Sequence, residues 1–182
     1  MKVVAIIQAR MGSTRFPNKV MMEINHIPII ELLINRLSNS KRINQIVLAT
    51  SDNENNIPLV RHVKSLGYEV FAGSEGDVLG RYYHAAKSYK ADVVVRITGD
   101  CPLIDSIIVD EVIDGFVDSN SDYASNREPP TYPDGLDVEV VSIEVLQDAH
   151  KKAKENFQRE HVTPYIINSE VYKKFYLKNT KD

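Results

Sequence analysis

Three cations, Arg10, Arg15 and Lys19, are spaced through the segment QARMGSTRFPNK, which follows directly on the apolar run KVVAII. Gly12 allows close backbone approach, Ser13 and Thr14 offer hydroxyls, and Pro17 stiffens the return. Phosphates need concentrated donors and positive charge. Backbone N–H groups of a glycine-containing loop, forked arginines and a mobile lysine supply both. The order of residues is not that of a Walker loop, because Asn18 precedes Lys19 and Val20 follows it, and no GxGxxG fingerprint is present. The same composition also suits a basic surface loop; a position just behind a buried strand favours phosphate.

Carboxylates form the second set. In RITGDCPLID, Asp100 lies just past an apolar run, where it could hold Mg2+, a hard ion that prefers oxygen, or simply serve a turn. Asp105, five residues on, suits a helix cap. In GLDVEV, Asp137 and Glu139 are two apart, so a strand would point both to one face, toward a metal or an acceptor's hydroxyls. The competing reading for Glu139 is the exposed polar face of an edge strand. Cys101, the one cysteine, suits burial better than nucleophilic attack, and no GxSxG or HExxH motif occurs.

These loops need strands behind them. KVVAII, INQIVLAT, YEVFAG and ADVVVRIT are short apolar runs, separated by amphipathic stretches at 28–37, 58–66 and 77–90, the last weakened by Gly80. A further helix runs from Asp105 or Ser106 to about Ser119. Strand–helix alternation predicts an α/β fold, a mostly parallel sheet with helices on both faces, whose ligands sit at the carboxyl ends of the strands. After Asp122 comes a turn-rich stretch, SNREPPTYPDG, then a strand in LDVEVVS, a helix from Ser142 to Ala153, a helix broken at Pro164 and a strand in KKFYLKN. One domain spanning 1–182 is expected, with a loop and strand insertion near 122–141.

Composition is ordinary for a soluble globular chain: 182 residues, 43% hydrophobic, 26% charged, formal charge −3. The mild negative charge argues against nucleic acid, and the short apolar start is neither a signal core nor a membrane span. One cysteine excludes a disulfide framework, and the expected location is cytoplasmic.

The motifs together resemble the sugar nucleotidyltransferases, specifically the acylneuraminate-type cytidylyltransferases, and within them the spore coat polysaccharide SpsF-like branch. Arg10, Ser13, Arg15, Pro17 and Lys19 fall on that family's loop pattern, and GSEGDVLGRYYHAA, VVRITGDCPLID, TYPDGLDVEV and REHVTPYI continue it to about Ile167. The resemblance implies a three-layer α/β/α sandwich of the nucleotide-diphospho-sugar transferase type. It implies transfer of CMP from CTP to an anionic sugar-like acceptor in polysaccharide biosynthesis, with Mg2+ held by Asp100, and a homodimer. Arg10, Arg15 and Lys19 would be catalytic. Nucleotide contacts would come from Ala9, Gly12, Ser13, Ser74, Asp77, Arg81 and Thr98, and acceptor contacts from Tyr132, Asp137, Glu139 and Glu160. A solvated helix position is the alternative for Arg81, and His161 suits packing better than catalysis. One departure stands out: the relatives' late aspartate motif, which brings a second metal ligand, is absent before the chain ends at KNTKD. A shortened polypeptide, a second ligand from Asp137 or Glu139, and impaired catalysis all remain open. So do two other functions, a glycosyltransferase using a nucleotide-sugar donor and a nucleotide-binding protein without catalysis.

Overall fold

The computed structural model describes residues 1–12 and 16–180. The parallel core of the sheet is made by β1 (Val3–Gln8), β4 (Gln45–Ser51), β5 (Glu69–Gly73) and β6 (Val93–Thr98). Between β1 and β4 stand a two-stranded hairpin, β2 (Glu23–Ile24) with β3 (Ile27–Pro28), and α1 (Ile29–Leu37). Helix α2 (Ile57–Ser65) links β4 to β5, α3 (Val78–Ser88) links β5 to β6, and α4 (Ser106–Asp118) follows β6. The remainder is β7 (Tyr123–Ser125), β8 (Glu139–Ser142), α5 (Ile143–Lys152), α6 (Asn156–His161), α7 (Pro164–Ile167) and β9 (Lys174–Tyr176).

The sheet order is β5-β4-β1-β6-β8-β7-β9. Only β8 runs against the rest: it pairs antiparallel with both β6 and β7, while β9 pairs parallel with β7. Pleating divides the core in two. Val3, Ala5 and Ile7 of β1 face a cluster shared with α1, α2 and α4; Val4 and Ile6 face one shared with α3, α5 and Ile166 of α7. Burial on both faces explains why β1 and β6 read as continuous apolar runs.

Several helix ends follow from single residues. Asp105 Oδ1 accepts from the Ile107 amide at 2.8 Å and starts α4. Ser142 Oγ accepts from Val145 at 3.2 Å and starts α5. Pro28 is the N-cap of α1 rather than its first helical residue, because it still pairs with Glu23 in the hairpin. The stretch 122–141 contributes β7 and most of β8 to the main sheet, so loop conformation is confined to residues between Ser125 and Glu139.

Candidate active site

After β1 the chain moves to β4 and β5 on one side, then returns through α3 to β6 on the other side of β1. This reversal makes the carboxyl ends of β1 and β6 a topological switch point, where a crevice opens between diverging loops. The loops approach closely there. Gly99 N–H donates to the Gln8 carbonyl at 2.8 Å, and a Cβ on Gly99 would stand 2.6 Å from the Ala9 Cβ and 2.9 Å from that carbonyl. Any side chain at 99 would push the two loops apart.

The crevice is a cavity of about 430 Å3, lined by Gln8, Ala9, Arg10, Lys19, Val20, Arg96, Thr98, Gly99, Asp100, Glu160 and His161. Across it Lys19 Nζ lies 2.6 Å from Asp100 Oδ2. Lys19 reaches this point because Asn18 adopts a left-handed conformation, φ 60°, that turns the chain into a short 3-10 helix. Burial would raise the Asp100 carboxyl, but the Lys19 ammonium and the Thr98 hydroxyl outweigh it, and the group titrates below its ordinary value. Arg10 borders the same cavity while its Nη1 is held by Glu75 Oε1 at 2.7 Å.

A second cavity of about 410 Å3 adjoins the first, sharing Arg96, Thr98 and His161. Its other walls include Tyr123, Arg127, Glu128, Asp137, Glu139, Phe157, Thr163 and Pro164. Arg127 Nε pairs with Asp137 at 3.1 Å, and the Phe157 and His161 rings pack with centroids 4.5 Å apart. Glu139 is 2% exposed, so the edge-strand reading fails: β8 lies between β6 and β7. Its carboxylate accepts from Arg96 Nη1, Tyr123 Oη (2.7 Å) and Thr163 Oγ1 (2.7 Å), with Arg127 Nη1 at 3.6 Å. Burial pushes this carboxyl up; Arg96, Thr163, Tyr123 and Arg127 together pull it below its ordinary value.

Of the residues singled out in the sequence, the joined cavities bring together Ala9, Arg10, Lys19, Thr98, Asp100, Asp137, Glu139 and Glu160. Ser13 and Arg15 lie outside the described residues. Gly12 sits in the first loop beside the Glu75 carboxylate. Ser74, Asp77 and Arg81 line neither cavity and instead bind one another. Asp77 N–H donates to Ser74 Oγ at 3.1 Å, Arg81 Nη1 donates to the Ser74 carbonyl at 2.9 Å, and Asp77 caps α3 and pairs with Arg159. Arg81 is 2% exposed, which overturns its reading as a solvated helix residue. Tyr132 is not brought to the cleft. It lines a separate cavity against α4, with Asp105, Ile107 and Leu136, because the loop before β8 folds back toward that helix.

Sequence reasoning missed Glu75, Arg96 and Arg127. Arg96 did leave a signal, a charge inside the apolar run VVVRIT. Glu75 and Arg127 left none, since their partners Arg10 and Asp137 are set by loop packing.

A mostly parallel sheet with a charged crevice at its switch point is an open α/β fold with its ligand site at the carboxyl ends of the strands, and known proteins narrow the class to the nucleotidyltransferases. The cytidylyltransferase family model matches residues 4–181, and the chain belongs to that family. The spore coat polysaccharide biosynthesis protein SpsF of Bacillus subtilis is 37% identical over 91% of this chain and 70% of its own length. A 3-deoxy-manno-octulosonate cytidylyltransferase of Trichlorobacter lovleyi is 30% identical over 64% of this chain and 46% of its own. Among solved structures, a cytidylyltransferase from Leptospira borgpetersenii is 36% identical, with a TM-score of 0.95 over 100% of this chain and 78% of that one. A CMP:2-keto-3-deoxy-manno-octonic acid synthetase solved with CTP shares the fold at 19% identity, with a TM-score of 0.78 over 98% and 91%.

Proposed function

We propose that the chain transfers CMP from CTP to a sugar-acid-like acceptor in surface polysaccharide or glycan biosynthesis, with release of pyrophosphate. The observation that carries this reading is the convergence of Lys19 and Asp100, 2.6 Å apart, from two loops at one switch point. Triphosphate occupies the cavity bordered by Arg10 and Lys19, with Arg15 as a third cation by resemblance, and these charges offset the negative charge that grows on departing pyrophosphate. The acceptor occupies the adjoining cavity, where Arg127, Asp137 and His161 offer polar contacts and Phe157 an apolar face. An acceptor hydroxyl oxygen there attacks the α-phosphorus as the bond from that phosphorus to the bridging oxygen breaks; pyrophosphate leaves with the electron pair, and the hydroxyl proton passes to water. Little general-base help is needed if that hydroxyl is already acidic; positioning supplies much of the rate.

The donor set fits a magnesium ion that arrives with the nucleotide. Asp100 offers a half-exposed hard oxygen, and the described residues hold no group of three or more His, Cys, Asp or Glu that could form a cage. Magnesium commonly takes one or two carboxylates plus substrate phosphates and keeps its waters. Asp100 would hold it. Glu139 is saturated by its own donors, so a second carboxylate, where one is needed, falls to Asp137. Bound, the ion would neutralise triphosphate charge.

The test is pyrophosphate release from CTP and Mg2+ with a panel of eight- and nine-carbon sugar acids, beside release of nucleoside diphosphate from sugar nucleotides. Pyrophosphate from CTP with at least one acid supports the reading. Nucleoside diphosphate release alone, or no pyrophosphate with any acid, ends it.

A further inference from the structure

Arg96 is a charged residue in a buried strand, and among the described residues its one charged partner there is the buried Glu139. Its strand neighbours Val94, Val95 and Ile97 are fully buried, and its own side chain is 12% exposed. It is held on two sides. Glu139, its register partner across β6 and β8, accepts from Nη1, and the guanidinium carbon stands 5.9 Å from the Tyr82 ring centroid. A buried ion pair of this kind does little better than break even against apolar packing. Stability therefore gives little reason for the pair as a whole, although each partner needs the other; location gives one.

In-line transfer requires the acceptor oxygen and the α-phosphorus to be within about 3–3.5 Å of each other. If nucleotide fills one cavity and acceptor the other, the α-phosphoryl group sits where they join. Among the described residues, three line both cavities: Arg96, Thr98 and His161. Of these only Arg96 carries a permanent charge. Its Nε is also buried without a hydrogen-bond partner, although the guanidinium is otherwise anchored. We infer that Arg96 is a catalytic residue that binds the α-phosphoryl oxygens at the seam between the two cavities, its guanidinium aimed by Glu139 and Tyr82. This rests on the cytidylyltransfer reading and adds to it a residue distinct from the cations of the first loop, which serve the departing pyrophosphate.

The two roles separate by probe. CMP carries only the α-phosphate, and pyrophosphate lacks it. Binding of CTP, CMP and pyrophosphate, each with Mg2+, is measured by calorimetry on the full chain and on Arg96→Met/Glu139→Met, which removes both charges and leaves neither stranded. Turnover is read as pyrophosphate release. The double variant is expected to bind CTP and CMP about tenfold more weakly and pyrophosphate unchanged, with kcat lower by about a hundredfold. Arg96→Lys, which keeps charge but loses the fork, is measured beside it, so that poor folding of the double variant does not end the test; kcat there falls about tenfold and CMP again weakens. Unchanged CMP affinity, equal weakening of pyrophosphate, or unchanged kcat in a folded variant overturns the inference alone. A full chain that binds no CTP overturns the cytidylyltransfer reading and this inference with it.

Discussion

An ion pair between side chains that are 29% and 49% exposed, as in Lys19 and Asp100, contributes little to folding because water screens it and two side chains must be ordered to make it. Under the proposed reading its value lies in what would replace it: phosphate oxygens for Lys19, a cation for Asp100. Lys19→Ala is therefore expected to lower kcat for pyrophosphate release by about a hundredfold while moving Tm by less than about 2 °C; a near-normal rate would remove Lys19 from the machinery. Asp77 is the opposite case, a carboxylate spent on structure. Burial raises its carboxyl, but Arg159 and the Gly80 amide lower it further, so its folded value lies below the unfolded one, about 3.9. The stability it adds is full above that unfolded value and is lost as pH falls through the folded one. Asp77→Asn keeps an oxygen for the cap and loses only the charge. Thermal melts from pH 6 down to pH 3 should show wild type above the variant at pH 6 and the gap closing on acidification; parallel curves would contradict the assignment. Such residues are readable from sequence only where their chemistry is local. Asp100 stands just behind the apolar run of β6, and Lys19 lies in the loop that follows β1. Arg10 with Glu75, and Arg96 with Glu139, are pairs 65 and 43 residues apart, and only loop packing and sheet register bring them together.

Elements were legible where period and punctuation agree. Burial on both faces makes β1 and β6 unbroken apolar runs, Gly67 at φ 84° closes the turn after α2, and Asp105 and Ser142 announce their helices. Two short elements, the β2–β3 hairpin and β7, were not. In the β2–β3 hairpin the turn residues Asn25 and His26 both have positive φ, 51° and 65°, the pattern of a type I′ turn. The usual signal is Asn-Gly, and histidine in the second place hides it. Strand β7 has three residues, too few for an alternation to show. Gly80 reads as a weak point in α3, yet it serves the start of that helix. A Cβ at 80 would collide with the Asp77 carboxylate that caps the helix and holds Arg159. Gly80→Ala gains up to about 1 kcal/mol of helix propensity and forfeits a cap of about 0.5–2 kcal/mol together with the ion pair. The expected result is a Tm lower by a few degrees, read by circular dichroism; a higher Tm would mean that Asp77 does not cap α3 in solution.

At the scale of the molecule, one reversed strand builds the site. Had β8 run parallel to β6, its first residue would have lain at the far end of the sheet. Running antiparallel, it sets Glu139 against Arg96 near the carboxyl edge and carries the loop with Arg127 and Asp137 to the same edge as Lys19 and Asp100. The two cavities share the wall of Arg96, Thr98 and His161 for that reason, and under the proposed reading no hinge between separate domains is needed to join donor and acceptor. A ligand that fills the first cavity therefore bridges the loops after β1 and β6, the centre of the sheet, and should stabilise the whole chain. Binding to the folded state alone adds about 2.7 kcal/mol at a hundredfold excess over Kd. For a chain of this size that is a Tm rise on the order of 5–10 °C. Thermal shifts with the four nucleoside triphosphates at equal concentration and Mg2+ should place CTP first. Asp100→Ala should abolish the part of the shift that Mg2+ adds and keep the part that the nucleotide gives alone, because the lysine and arginine contacts survive. Equal shifts from all four nucleotides would show a phosphate site without base selection. A Mg2+ increment that persists in Asp100→Ala would move the metal to Asp137 and remove Asp100 from the nucleotide's grip.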